Sequence, residues 1–396
     1  MCPVSLGHHS VKINSNKYIL VNAVSINSGG GLLILKAFLN EISSENNLLN
    51  KYVIFIQEGL LFHNTKQVKF VIVKKKGKFS LLYWHVYGFY RYAKKIIRIE
   101  NVILVLSLQN FDVYFPGKKR IVYFHQLQIL NYQNLLLPIY LKIMYFLYRG
   151  IYRISLKTAT RIIVQNEWTR NKHFPIFQEY SNKILVIDKF SILKKNDVLQ
   201  LAYSRANDDI IRLVEYDYLF YPSFFHPHKN HKILFSTVAQ LYGDGLLENN
   251  FKLVLTISED LLPKNLPQQI RSFIICLGEL SHEQTINLLV ESKGLLFPSK
   301  AETLGIPLLE AAYLEIPIIV SKEDYSEGLL KGYRKVIYCP SDDISSWSFA
   351  VHNVLKNKMI LENSYDFGES YGKSLLEILK AELNLCDLKV KQVEFS

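Results

Sequence analysis

The chain has 396 residues, of which 49% are hydrophobic and 21% charged, and its formal net charge is +12. That mixture excludes a disordered polypeptide, and the length suffices for two domains of ordinary size, each burying its own core. Four scattered cysteines, Cys2, Cys276, Cys339 and Cys386, have no paired spacing, which speaks against a zinc site or a disulfide framework and fits a reducing cytoplasm.

Taken in chain order, the first fifteen residues, MCPVSLGHHSVKINS, hold no apolar core of signal-peptide length. No uninterrupted apolar run reaches the roughly 18 residues needed to span a bilayer, so a cytoplasmic protein is expected. Next come short β-rich runs: YILVNAVS (18–25), KYVIFIQ (51–57), KFVIVKK (69–75), NVILVLSL (101–108), RIVYFHQ (120–126), RIIVQNE (161–167) and KILVID (183–188). They are almost continuously apolar, as strands buried on both faces of a parallel sheet must be. Helices fit between them, for instance GGLLILKAFLNEI and the aromatic segment 134–158.

After the polar stretch LKKNDVLQLAYSRANDD the rhythm repeats. LVEYDYLFYPS (213–223), FKLVLTIS (251–258), SFIICLG (272–278), GLLFPS (294–299), IPIIVS (316–321) and KVIYCPS (335–341) read as strands. HKNHKILFSTVAQLY, SHEQTINLLVES and TLGIPLLEAAYLE read as helices between them, and YGKSLLEILKAELNL (371–385) as a last one. The expected architecture is α/β, with two doubly wound Rossmann-like domains facing across a cleft. Their expected bounds are 1–195 and 196–365, followed by a helix and tail, 366–396, packing back on the first domain.

The stretch SKAETLGIPLLEAAYLEIPIIVS, from Ser299 to Ser321, carries the most chemistry. Glu302 follows a strand's carboxyl end, and Glu310 lies eight positions on, about two turns into the expected helix. A helix beginning at Thr303, Leu304 and Gly305 would offer unpaired amides to a phosphate, and Gly305 would let the ligand approach the backbone. A helical glutamate is ordinarily a solvated charge, but the apolar neighbours of Glu310 argue for a held carboxylate that accepts hydrogen bonds from a diol.

FPSKAETLGIPLLEAAYLEIPIIVS resembles the nucleotide-sugar signature of retaining GT-B glycosyltransferases of family 4. The resemblance implies that Glu302 contacts the transferred sugar and Glu310 the nucleotide ribose, while Thr303, Leu304 and Gly305 hold the diphosphate. NSGGGLLILKAF (27–38) is similar to the family's glycine loop, with Gly29, Gly30 and Gly31 giving close backbone approach. FYPSFFHPHKNHKILFSTVAQL (220–241) is similar to the segment that opens the second domain, and its Lys229 falls on the family's phosphate lysine. Phe224 stands where the family usually has an arginine, which leaves the second phosphate contact to His226, His228 or His231 or to another group. His125, at the end of RIVYFHQLQIL, matches a histidine near the sugar, so the implied catalytic set is Glu302, Lys229 and His125. Gln165 and Asn166 end a further similar strand without an assigned role.

The implied reaction moves a sugar from a nucleoside diphosphate sugar to an acceptor hydroxyl, with retention and without a metal or other cofactor. No DxD-like pair ends a strand, and Asp342 and Asp343 sit at a domain edge. The expected acceptor is a glycan or lipid-linked oligosaccharide of a bacterial surface polysaccharide such as O-antigen or capsule. Charge adds a partner: residues 1–190 carry 26 Lys/Arg against 8 Asp/Glu, whereas residues 191–396 carry 21 against 27. With aromatic residues interleaved over 69–99 and 135–157, the front half is expected to meet an anionic membrane on its inner face. Three other readings compete. They are an epimerase or hydrolase of the same fold, a non-catalytic basic protein of the membrane surface, and a nucleic-acid binder; the last lacks any recognised module, so no nucleic-acid partner is expected.

Overall fold

The computed structural model describes residues 17–26, 29–45, 50–74, 83–125, 138–173, 180–187, 189–203, 213, 215–356, 367 and 372–393. Strands β1 (Tyr18–Ala23), β2 (Lys51–Gln57), β3 (Val68–Val73), β4 (Val102–Ser107), β5 (Lys119–Phe124), β6 (Arg161–Val164) and β7 (Ile184–Val186) form one sheet. Their order is β3-β2-β1-β4-β5-β6-β7. Strands β8 (Asp217–Tyr221), β9 (Phe251–Leu255), β10 (Ile274–Cys276), β11 (Gly294–Phe297), β12 (Ile318–Ser321) and β13 (Val336–Cys339) form the other, in the order β10-β9-β8-β11-β12-β13. The pairings β1–β2, β1–β4, β8–β9 and β8–β11 are parallel. In each sheet the winding reverses beside the central strand, which is the doubly wound arrangement expected from the apolar runs.

The chain divides into two compact units, Met1–Phe124 with Ile154–Ile162 and Glu382–Ser396, and His125–Arg153 with Ile163–Ala381. In the first, all six residues of β1 are buried, and the helix Gly29–Ser44 turns Ile34, Leu35, Phe38 and Ile42 inward at helical spacing. Phe55, Trp84, Phe89 and Phe115 build the adjoining core, with the Phe55 and Phe89 rings 4.8 Å apart. At the carboxyl ends of β1 and β4 this core encloses neutral polar groups. Trp84 Nε1 donates to Asn22 Oδ1 at 3.0 Å, Asn22 Nδ2 to Ser107 Oγ at 3.2 Å, and Ser107 Oγ to the Phe111 carbonyl at 2.8 Å.

The last helix spans Leu375–Val393. Its Glu382 accepts hydrogen bonds from Arg161 at 2.8 Å and also pairs with Lys119. Burial pushes that carboxyl up, but the hydrogen bonds and charges of the two cations outweigh it and hold the group below the usual carboxylate range.

Tyrosines brace the second unit. The hydroxyls of Tyr218, Tyr221, Tyr325 and Tyr333 donate to the backbone carbonyls of Leu288, Lys229, Ser299 and Ile316, at 2.6, 2.9, 2.7 and 2.6 Å. Each phenol thereby keeps a partner while its ring fills the core.

Candidate functional site

Adjacent strands β8 and β11 end in loops that carry Lys229 and Glu302 respectively. After β8 the chain makes a 3-10 turn over Pro227–Lys229, and Asn230 then takes a left-handed conformation with φ 54° before the helix His231–Gly243 begins. Asn tolerates that conformation better than most residues, and its side chain is fixed by a 2.8 Å hydrogen bond to the Ser341 carbonyl. The loop after β11 is tied to this turn by Lys300 N–H, which donates to the His228 carbonyl at 2.8 Å.

These ties bring Lys229 and Glu302 together across 73 positions of sequence. Lys229 Nζ lies 2.5 Å from Glu302 Oε1, and Ser299 Oγ donates to the same oxygen at 2.7 Å. Both side chains are only about one-tenth exposed, at 11% and 12%, so the pair is largely withdrawn from solvent. The ammonium also faces the rings of Phe224 at 5.1 Å and Phe297 at 5.7 Å, within cation–π range. Phe224, at the position where the resembled family usually has an arginine, therefore supplies a ring face to Lys229 in place of a second cation.

The nearby histidines do not replace that cation. Burial, reinforced by the Lys229 charge, lowers His228 to about 2 and His231 to about 4, and the same causes lower His226. All three imidazoles are neutral near pH 7, so Lys229 carries the positive charge of this loop. Among the described residues no three or more His, Cys, Asp or Glu gather as a metal-binding group.

The helix after Glu302 starts later than the sequence suggests. It spans Ile306–Tyr313, with Gly305 as its N-cap at φ 62°, so Thr303 and Leu304 lie in the preceding turn. Pro307 removes one amide from the first turn, and Leu308 N–H is taken by the Gly305 carbonyl at 2.9 Å. Leu304 is buried, so only its backbone is available to a ligand. A Cβ on residue 305 would stand 3.1 Å from Leu308 Cδ1 on a backbone that suits glycine. Glu310 is consequently the fifth helical residue, just over one turn in rather than two.

Glu310 is buried at 2% exposure and accepts a 2.6 Å hydrogen bond from His282 Nε2. Sequence reading missed His282. It opens the helix His282–Glu291, whose start is fixed by a reciprocal cap between Ser281 and Gln284. That Ser-x-x-Gln pattern was the available signal for where His282 stands, although not for what it touches.

Other expected residues have plainer positions. Thr303 Oγ1 donates to the His125 carbonyl at 2.7 Å, and burial lowers the His125 imidazole to about 4, which keeps it neutral. Asn166 caps its helix by accepting from Thr169 N–H at 2.7 Å and donates to the Thr303 carbonyl. Gly29, at φ 58°, Gly30 and Gly31 form the first turn of their helix in the first unit. Asn27 and Ser28 of the same motif lie outside the described residues, as do Lys75, Lys76 and Lys78 of the 69–99 segment and residues 204–209 of the polar stretch before β8. Asp342 pairs with Lys300 at 2.5 Å and Asp343 caps the helix Ile344–Leu355, so both have structural partners.

Residues 207–374 match the family model described as Glycosyl transferases group 1. The O-antigen chain mannosyltransferase RfbU of Salmonella typhimurium is 21% identical over 286 residues, covering 71% of this chain and 72% of the relative. Among solved structures, sucrose-phosphate synthase of Thermosynechococcus elongatus superposes with a TM-score of 0.61 at 14% identity, over 86% of this chain and 90% of that one. HepE of Anabaena, in complex with UDP and glucose, gives 0.59 at 14% identity, over 87% and 91%. WaaG, a glycosyltransferase involved in lipopolysaccharide biosynthesis, gives 0.58 at 12% identity, over 86% and 90%. The two parallel sheets are those of the GT-B fold, and the chain is a transferase enzyme. Its residues 207–374 are similar to glycosyl transferases group 1, and the relative named above acts on the O-antigen chain.

Proposed function

We propose that the protein is a retaining glycosyltransferase of family 4 that moves a hexose from a nucleoside diphosphate sugar to a hydroxyl of a lipid-linked surface glycan, without a metal. The observation that carries this reading is the buried Lys229–Glu302 pair at the ends of neighbouring strands, inside the region matched by the family model. Breaking the bond between sugar and diphosphate leaves negative charge on the departing phosphate. A withdrawn ammonium stabilises that charge far better than a solvated one would. In this reading the diphosphate takes over the ammonium from Glu302, which turns its freed oxygen to a hydroxyl of the sugar.

Glu310 has the burial and the orientation for a ribose diol, because His282 fixes one carboxylate oxygen and leaves the other to accept. The Thr303–Gly305 turn supplies backbone amides to the diphosphate, and Gly29, Gly30 and Gly31 offer a backbone that a phosphate can approach closely. A neutral His125 suits hydrogen bonding to the sugar rather than charge stabilisation. The acceptor's proton goes to the departing phosphate oxygen on the same face, so no separate base is required. The likeness to the mannosyltransferase and to a structure holding UDP and glucose supports a hexose donor.

The test is thermal stabilisation of the full chain by a panel that includes UDP-glucose and nucleoside diphosphate mannose, followed by turnover with lipid-linked acceptors in the presence and absence of EDTA. A stabilising donor, EDTA-resistant turnover and a product with the donor's anomeric configuration are expected. If no sugar nucleotide stabilises the protein, or if the product is inverted, the proposal fails.

A further inference from the structure

The helix Ile139–Thr158 has 20 residues, no acid, and the cations Lys142, Arg149, Arg153 and Lys157. An α-helix advances about 100° per residue, so Tyr145, Tyr152, Ser155 and Leu156 fall on one side, and all four are buried. The inner side is held there, since Asp112 N–H donates to Ser155 Oγ at 2.9 Å and Arg120 donates to the Thr158 carbonyl at 2.6 Å.

The opposite side should be polar on an ordinary surface helix. Instead Ile139, Ile143, Phe146, Leu147 and Ile154 share it, each between 57% and 74% exposed. Single exposed apolar residues are common, but a stripe four turns long marks an interaction surface. Exposed Lys142, Arg153 and Lys157 run along one edge of the stripe.

We propose that this face lies flat on an anionic phospholipid bilayer, with the stripe among the upper acyl chains and the basic edge at the headgroups. Charge selects this occupant. A second copy docked on the stripe would set cations against cations, with no acid on either helix to relieve them. The stretch of sequence around the helix is itself strongly basic, residues 59–166 holding 18 Lys/Arg against the acids Glu100 and Asp112. Among the described residues no helix is long and apolar enough to cross a membrane, so the contact is interfacial. That the contact serves to reach a lipid-linked acceptor rests on the function proposed above; the binding itself does not.

The experiment is sedimentation of the full chain with phosphatidylcholine vesicles, with and without phosphatidylglycerol, across a range of salt. Binding to the anionic vesicles alone is expected, weakening as salt rises. The variant Ile143→Ser/Phe146→Ser/Leu147→Ser should bind about tenfold less or weaker still, and Lys142→Ser/Lys157→Ser a few-fold less. The variants' melting temperatures, and their stabilisation by whichever sugar nucleotide stabilises the parent, should be unchanged. No binding by the parent chain, or equal binding by the triple variant, overturns the proposal. So does a parent that is dimeric in solution and does not bind vesicles, with a monomeric triple variant, because a second copy then covers the face. Vesicle binding without any response to sugar nucleotides leaves this inference standing and removes the functional one.

Discussion

The two sheets share a winding order, yet the polar groups at their equivalent strand ends are chemically unlike. At the ends of β1 and β4 the first unit buries Asn22, Trp84 and Ser107, neutral groups that satisfy one another. At the ends of β8 and β11 the second unit buries a cation and an anion, with Glu310 and His282 farther along. The same topology thus supports two economies of polarity. A neutral network costs little to bury when every member is bonded, whereas a charged pair is retained at a desolvation cost that suits a site where charge must be handled. The difference teaches that winding sets where a site forms, and the loops decide what chemistry it holds.

Acid should separate the two halves most strongly. Burial holds His125 and His231 at about 4 and His228 at about 2, all in the second unit, and His85 at about 4 in the first. Each pKa is depressed on folding, so the stability it contributes is present above the unfolded value near 6.5 and is lost as pH falls toward 4. Hydrogen exchange between pH 7 and pH 4.5 should therefore show the second unit opening first. Simultaneous opening would mean that the histidines do not set the difference.

On the proposed function, Lys229→Ala should lower turnover by roughly a hundredfold to a thousandfold, with a smaller change in nucleotide affinity, because the ammonium would act most as the bond breaks. Equal losses in both would reduce Lys229 to a binding group. Glu302→Ala should destabilise the fold by about 3 kcal/mol by stranding a buried cation, and a urea titration measures it. Asn22→Ala, which strands only neutral donors, should cost about 2 kcal/mol in the same titration and leave nucleotide affinity alone. If Asn22→Ala were the costlier of the two, the contrast between the sheets would be wrong. On the proposed function, Glu310→Gln should weaken nucleotide binding about tenfold by calorimetry, and His282→Asn only a few-fold, since the histidine bonds Glu310 rather than the ligand.

The strands were legible because each is apolar along its length, and β1 illustrates the rule with every residue buried. The sequence pattern runs the helix carrying Glu310 from Thr303, whereas Gly305 in the left-handed region followed by Pro307 moves the first turn to Ile306. Gly-x-Pro was the sign, and it was read as ligand approach rather than as a cap. The partners of the two glutamates were not legible at all. Lys229 and Glu302 lie 73 positions apart, and His282 and Glu310 lie 28 apart. Local pattern does not report which loops a sheet brings side by side. The aromatic and basic make-up of the Ile139–Thr158 helix was visible, but its apolar residues divide between core and surface, and only the fold assigns Tyr152 inward and Phe146 outward.

The tyrosine braces make the second unit its own optical gauge. Burial raises Tyr218, Tyr221, Tyr325 and Tyr333 above the ordinary phenol value near 10, while Tyr83, Tyr87 and Tyr114 are about half exposed. In an alkaline titration followed by phenolate absorbance, the bracing rings will therefore ionise only as the scaffold gives way. Because Tyr221 and Tyr325 clasp the backbone on either side of the charged corner, a ligand seated there will delay that rise.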